Sequence, residues 1–268
     1  MKKVCVVAFM FFSIAIMVIG YSLYEPYTLE IKRYRIKYPA LSGLSAVFAS
    51  DFHIGASIRE KSRLLKIIET INNLHPDIIF LGGDYVKGHL HKSSMPIGEI
   101  ANALQKLHSR YGTYAVLGNH DSYYGKKQVA DALKNAGIIV LDNEHTRIDI
   151  NGISLSLAGI GDYYTDNPNT EAALNGTDAP TILLSHSPDI FPQLKNTPLL
   201  ILSGHTHGGQ VVLPLIGAPL VPSDYGRRYR YGLFIEGGKQ MLVSKGLGTS
   251  ILPLRFNCRP EIIFIEFE

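Results

Sequence analysis

A chain of 268 residues, 46% hydrophobic and 18% charged, holds enough apolar matter for one well-buried domain and is short for two. Its net charge of +3 is too small and too dispersed for a nucleic-acid surface, so no nucleic-acid partner is expected. Its two cysteines, Cys5 in the apolar N-terminal run and Cys258 near the other end, exclude an internal disulfide.

The chain opens with Met1-Lys2-Lys3 and then runs through residues 4–24 without a charge. At ~1.5 Å per residue, roughly 20 such residues cross a ~30 Å hydrocarbon core. The run exceeds a cleaved apolar region of about 7–15 residues, and Ile19-Gly20-Tyr21-Ser22 offers no small-x-small processing site. The expectation is an uncleaved single-pass anchor over residues 1–24, with the membrane as a partner. Lys2 and Lys3 compete with Lys32, Arg33, Arg35 and Lys37 for the cytoplasmic side, and the catalytic part is placed outside the cytoplasm. Residues 25–45 read as a connecting segment with an edge strand, and residues 46–268 as one domain.

Past the anchor, residues 45–50 form an apolar strand that ends at Asp51-Phe52-His53. Ser57-Ile58-Arg59-Glu60 has the form of a capping box, and Leu64, Leu65, Ile67, Ile68, Ile71 and Leu74 follow at helical spacing. The order returns as strand 78–81, helix 97–107, strand 113–117 and helix 127–135. Asn151-Gly152 and Gly237-Gly238 then sit between alternating runs and read as hairpin turns. Alternating βα units joined to hairpins imply an α/β fold of two sheets flanked by helices, with a site along one edge.

Strand ends carry the chemistry. Ile78-Ile79-Phe80-Leu81 stops at two glycines, so Asp84 falls at the mouth of a sheet, where open α/β sheets bind ligands. Asp51 and His53, Asn119 and His120, His186, and His205 and His207 stand at four other strand ends. Carboxylate, amide and imidazole without thiolate is a donor set for two divalent cations, and one shared carboxylate holds such a pair ~3.5–4 Å apart. His75, His89, His91, His108 and His145 lack that setting and read as ordinary core or surface histidines.

These residues resemble the calcineurin-like binuclear metallophosphoesterases, whose motifs run D-x-H, G-D, G-N-H-[DE], H and G-H-x-H. All five occur here in order, from Asp51 to His207. The resemblance implies a four-layer αββα sandwich, here with an N-terminal transmembrane anchor. It assigns one metal to Asp51, His53, Asp84 and His207 and the other to Asp84, Asn119, His186 and His205, with Asp84 as the bridge. The cofactors implied are two divalent ions, Mn, Fe or Zn, and the nucleophile is a metal-bridged hydroxide. His120 matches the histidine that acts on the leaving oxygen.

Details narrow the branch. Lys87 stands where purple acid phosphatases place a metal-binding tyrosine. The carboxylate that orients the catalytic histidine in serine/threonine protein phosphatases is missing after Asp84-Tyr85-Val86, so His120 needs another partner. The forms around Gly82 to Val86, Gly204 to Gln210 and Arg255 to Glu261 are similar to the bacterial membrane-associated phosphodiesterase branch. That branch implies a phosphodiester or pyrophosphate substrate, lipid-linked ones included. The alternatives are a hydrolase of the UDP-2,3-diacylglucosamine type and a non-catalytic metal-binding membrane scaffold, against which the complete ligand set stands. Substrate-binding residues are not assigned: Arg227, Arg228 and Arg230 among Tyr225, Tyr229 and Tyr231 suit phosphate or a solvated loop or membrane-surface patch, and Arg255, Asn257 and Arg259 either close the site or tie down the last strand, residues 261–267.

Overall fold

The computed structural model describes residues 2–88, 93–178, 180–195 and 199–268, with the side chains of all of these except 2–8 and 11. His89 and His91 lie outside the described residues. After a helix α1 (Lys2–Tyr24), the strands are β1 (Glu30–Ile36), β2 (Ser45–Ala49), β3 (Ile78–Leu81), β4 (Thr113–Ala115), β5 (Ile139–Val140), β6 (Glu144–Ile150), β7 (Ile153–Gly159), β8 (Thr181–Ser185), β9 (Leu199–Ser203), β10 (Gly232–Glu236), β11 (Lys239–Val243) and β12 (Glu261–Phe267). The further helices are α2 (Ile58–Asn73), α3 (Ile97–Leu104), α4 (Asn119–Asn135) and α5 (Thr170–Leu174).

Two six-stranded sheets result, in the orders β1-β12-β2-β3-β4-β5 and β10-β11-β9-β8-β7-β6. Side chains alternate across each strand, and the alternation sorts the core. Ala46, Phe48, Ile78 and Phe80 of the first sheet meet Leu155, Leu157, Ile182, Leu184, Leu200 and Leu202 of the second. Val47, Ala49, Ile79 and Leu81 point the other way, onto Leu64, Ile67, Ile68 and Ile71 of α2. Leu183, Ile201 and Val243 face a third cluster with Phe191 and Tyr229. The layers are therefore helix, sheet, sheet, helix, as the resemblance implies.

Local signals act where expected. The Ser57 hydroxyl accepts from the Glu60 N–H at 3.3 Å and starts α2. β1 takes the edge of the first sheet, pairing parallel with β12. β2, β3 and β4 run parallel, as do β7, β8, β9 and β11, so the carboxyl ends of the central strands of both sheets converge on one rim.

The transmembrane anchor is corrected. α1 forms, but among the described residues no helix is long and apolar enough to cross a membrane. The C-terminal end of α1 packs on the domain instead. Its last turn is committed to the domain: Ser22 is buried and its carbonyl accepts from the Arg255 N–H at 2.9 Å. Tyr21 meets Phe256 edge-on, and the fully buried Glu25 accepts from the Asn257 and Cys258 N–H groups. The single-pass localisation, the membrane partner and the placement of the catalytic part beyond a bilayer, all derived from that span, fall with it.

Candidate metal centre

Five residues at the converging strand ends hold a left-handed backbone: Asp51 (φ 55°), His53 (43°), Asp84 (56°), His205 (68°) and His207 (51°). Such conformations cost on the order of 1–3 kcal/mol each and persist only where the surroundings over-determine them. Here they are tied together across the rim. Asp51 N–H donates to Gly83 O and His53 N–H to Asp84 O, both at 2.9 Å, and His205 N–H donates to the Asp51 carboxylate at 3.0 Å. The approach is so close that a Cβ at Gly204 would overlap the Ser50 hydroxyl and the Asp51 carboxylate.

The donor atoms fall into two groups. In one, His53 Nε2 lies 3.1 Å from His207 Nε2 and 3.4 Å from Asp84 Oδ2, and His207 Nε2 lies 3.6 Å from Asp51 Oδ1. In the other, His205 Nδ1 lies 3.1 Å from Asn119 Oδ1 and 3.2 Å from His186 Nε2, which is 3.3 Å from the same Asp84 Oδ2. All seven sequence-derived residues are thus brought together: Asp84 Oδ2 lies near an imidazole of each group, and Asp51 also stands with Asp84 and His186. Two buried imidazole nitrogens facing each other at 3.1 Å are poor company for one another and good company for a cation. Ligands about 2.0–2.2 Å from a tetrahedral ion stand about 3.3–3.6 Å apart, which is close to the spacing found. His75 and His108 are exposed, and His145 half-buried on β6.

Burial sets the electrostatics. It pushes Asp51 up to about 6, and it pushes His53 and His205 down to about 3 and His207 well below its usual range. Burial also opposes charge on Asp84 and His186, yet each outweighs it for the other. The His186 imidazole holds Asp84 well below the carboxylate range, and the Asp84 carboxylate holds His186 well above the imidazole range. Without a cation the centre sets the Asp84–His186 pair among imidazoles that burial keeps uncharged, which is a site awaiting positive charge.

His120 is only half-buried. Its Nδ1 donates to the Lys87 carbonyl at 2.7 Å and its ring packs edge-on to His53 at 4.6 Å. The carbonyl takes the place of the missing orienting carboxylate. Gly88 permits this, because a Cβ there would overlap the His120 ring and its φ is 73°.

Three groups support the centre; Asp121 and Tyr164 escaped the sequence reading, and Arg255, which it left between two roles, takes the structural one. The buried Asp121 carboxylate accepts from the N–H groups of Asp84 (2.7 Å), Tyr85 (2.9 Å) and Gly118 (3.0 Å), fixing the loop that presents Asp84. Its place in G-N-H-[DE] was the available signal; burial pushes it up to about 7, with the Asp84 charge adding to the rise. Tyr164 stacks on His205 at 4.8 Å and gives its hydroxyl hydrogen to Asp189. Arg255, fully buried, donates to the carbonyls of Lys245 (2.7 Å), Gly246 (3.2 Å), Gly248 and Cys258 (3.0 Å), and reaches His207 O at 3.5 Å. It clasps the loops beside Asp51 and His207. The guanidinium groups of the basic 225–231 segment turn to local partners: Arg227 donates to Ile216 O, Arg228 pairs with Glu236, and Arg230 donates to Gly208 O. Arg259 donates to Thr28 O.

The fold and this centre define a binuclear metallohydrolase, and comparison with known proteins gives the family. Residues 44–209 match the calcineurin-like phosphoesterase family model, and the chain belongs to that family. It is 34% identical over 258 residues to phosphodiesterase YaeI of Escherichia coli (strain K12), covering 92% of each chain. It is 32% identical to the uncharacterized metallophosphoesterase YkuE of Bacillus subtilis (strain 168), over 91% of this chain and 87% of that one. The solved structure of Haemophilus influenzae NAD nucleotidase shares the fold, with a TM-score of 0.51 at 17% identity, over 76% of this chain and 45% of that one. The protein is a metallophosphoesterase-type hydrolase that cleaves a phosphoester with a binuclear centre of two divalent cations.

Proposed function

We propose that the ester cleaved is a phosphodiester or pyrophosphate, with Asp51, His53, Asp84 and His207 holding one cation and Asp84, Asn119, His186 and His205 the other. The observation that carries this reading is Asp84 Oδ2, 3.4 Å from an imidazole of the first sheet's rim and 3.3 Å from one of the second's. One carboxylate oxygen there can serve both groups. The likeness to a protein described as a phosphodiesterase, over nearly the whole of both chains, supports the diester.

Bound cations supply Lewis acidity toward the phosphoryl oxygens and toward water. The chain's own part is orientation. Asp84 Oδ1 accepts from the His120 N–H at 2.8 Å, so the bridging carboxylate and the half-buried histidine are set by the same atoms. With Nδ1 engaged by Lys87 O, Nε2 is the nitrogen that gives a proton, or a positive hydrogen bond, to the leaving oxygen. Asp121 and Arg255 hold the loops in their strained conformations and touch no substrate.

The test is turnover of a di(aryl) phosphate, an aryl monophosphate and a nucleoside diphosphate ester in parallel, after reconstitution with Mn, Fe or Zn, with metal content measured on the same samples. The reading expects about two ions per chain and a preference for the diester or the diphosphate ester. One ion or none, or a preference for the monoester, would overturn it.

A further inference from the structure

Beside the metal centre lies a solvent-open pocket of about 320 Å3, lined by Tyr27, His53, Ser57, Glu60, Arg63 and Lys87 among others. That is the lower end of the range in which ligand pockets fall. Its position and its charge both bear on what it holds.

Position comes from His53 and Lys87. His53 lines the cavity and packs edge-on against His120. Lys87 lines it too, and its carbonyl is the acceptor that orients His120. The cavity therefore lies on the flank of the cation pair where His120 stands. If His120 faces the leaving oxygen, the group attached to that oxygen extends into this space.

Charge comes from counting what is spent. Arg63 gives Nη1 to Leu247 O (3.0 Å), Nη2 to Phe52 O (2.7 Å), and Nε and Nη2 to the Glu60 carboxylate (3.1 and 2.7 Å). That pair is neutral and structural. The Lys87 ammonium meets no carboxylate among the described residues, so Lys87 brings to this lining a positive charge that the Arg63–Glu60 pair leaves uncompensated.

We propose that this cavity seats the leaving group and that Lys87 selects a leaving group bearing its own anion, a second phosphoryl group, which makes the preferred bond a pyrophosphate. The inference rests on the hydrolytic reading above. Water adds its oxygen to the attacked phosphorus, the bond to the bridging oxygen breaks, and the bonding pair leaves on the second phosphate while the water's proton is released. A departing phosphate needs little protonation, so a fixed ammonium near its oxygens does more for it than an acid does.

The experiment uses the full metal-loaded chain and the variants Lys87→Ala and Lys87→Arg, all of which keep the carbonyl that orients His120. The substrates are di(nitrophenyl) diphosphate and di(nitrophenyl) phosphate, which differ by one phosphoryl group. The methylene-bridged analogue of the diphosphate, which cannot be cleaved at its bridge, is titrated by calorimetry. Lys87→Ala is expected to weaken analogue binding and raise KM for the diphosphate by about tenfold to a hundredfold, the value of a charge-assisted hydrogen bond. The diester should suffer a much smaller change, Lys87→Arg should recover most of the affinity, and metal content should match the parent. Equal losses on both substrates, or analogue binding that ignores Lys87, would overturn the proposal. Failure of the parent to turn over either substrate would count against the hydrolytic reading, and the calorimetric comparison would still decide the cavity.

Discussion

Two parts of the molecule look alike in sequence, both dense in polar and charged residues beside glycines, and behave oppositely in the fold. The metal centre is buried, with Asp51 and His186 fully enclosed and Asp84 1% exposed. Its backbone N–H groups are satisfied by neighbouring loops while its imidazole nitrogens are turned toward one another. Much of the 210–231 segment is exposed, yet its guanidinium groups find partners in the carbonyls of Ile216 and Gly208 and in Glu236. Its one fully buried aromatic, Tyr229, packs with Phe191 and Phe234. The difference teaches that the informative groups are those whose partners the chain itself does not supply. Arg227 and Arg230 commit donors to carbonyls and Arg228 pairs with Glu236, whereas the Lys87 ammonium faces no carboxylate among the described residues.

Substitutions sharpen or break that contrast. The largest effect is expected at the shared carboxylate: Asp84→Ala should lose both ions and bring activity on every substrate to background, read by metal analysis and turnover together. A variant that keeps two ions would break the bridging role. His120→Ala should retain the ions and lose ~10²–10⁴-fold in kcat/KM on an alkyl leaving group, with the loss shrinking for a nitrophenolate that needs little protonation. A uniform loss along a leaving-group series, metals retained, would move His120 from the leaving oxygen to the phosphoryl oxygens.

Support for the centre comes next. Arg255→Met leaves buried carbonyls beside His207 without donors and should destabilise the fold by roughly 3 kcal/mol in urea titration, since each hydrogen bond to a charged group contributes about 1.5–3 kcal/mol. Stability like the parent's would mean that the clasp is dispensable. A smaller effect, tenfold per pH unit for each proton displaced, belongs to metal uptake. Asp84 holds a proton on His186 above the ordinary imidazole range, and a cation must expel it. Affinity should therefore rise with pH through neutrality, and calorimetry in buffers of different ionisation enthalpy should count at least one proton released per chain. The smallest change is predicted in the exposed segment: Arg228→Ala removes a surface pair with Glu236 that contributes ~1 kcal/mol or less. Its kcat/KM should stay within about twofold of the parent; a large loss there would return the segment to the substrate.

Much of the rim was legible in the chain. Asp51, His53, Asp84, Asn119, His186, His205 and His207 each follow a short apolar run, and a strand that ends in glycine presents the next polar residue at the sheet's edge whatever lies around it. The Ser57 cap and the β3 and β12 boundaries were likewise written locally. Asp121, Tyr164 and the structural role of Arg255 were not, because their partners are remote: Asp121 serves Asp84, 37 residues away, and Arg255 reaches His207 across 48. The anchor misled for the same reason. An apolar run states what a helix avoids, while the bonds from Arg255 to Ser22 and from Cys258 to Glu25 state where its end is held.

The sequence by itself determined the order of strands and helices, the donor types and the family they belong to, since periodicity, glycine placement and motif spacing act within a few residues. Tertiary structure decided the rest: that His120 leans on the Lys87 carbonyl, that one oxygen of Asp84 stands between two imidazoles from opposite sheets, and that Arg63 is spent while Lys87 is not. Those outcomes depend on distances between segments far apart in the chain, which only the packing of two sheets against each other sets.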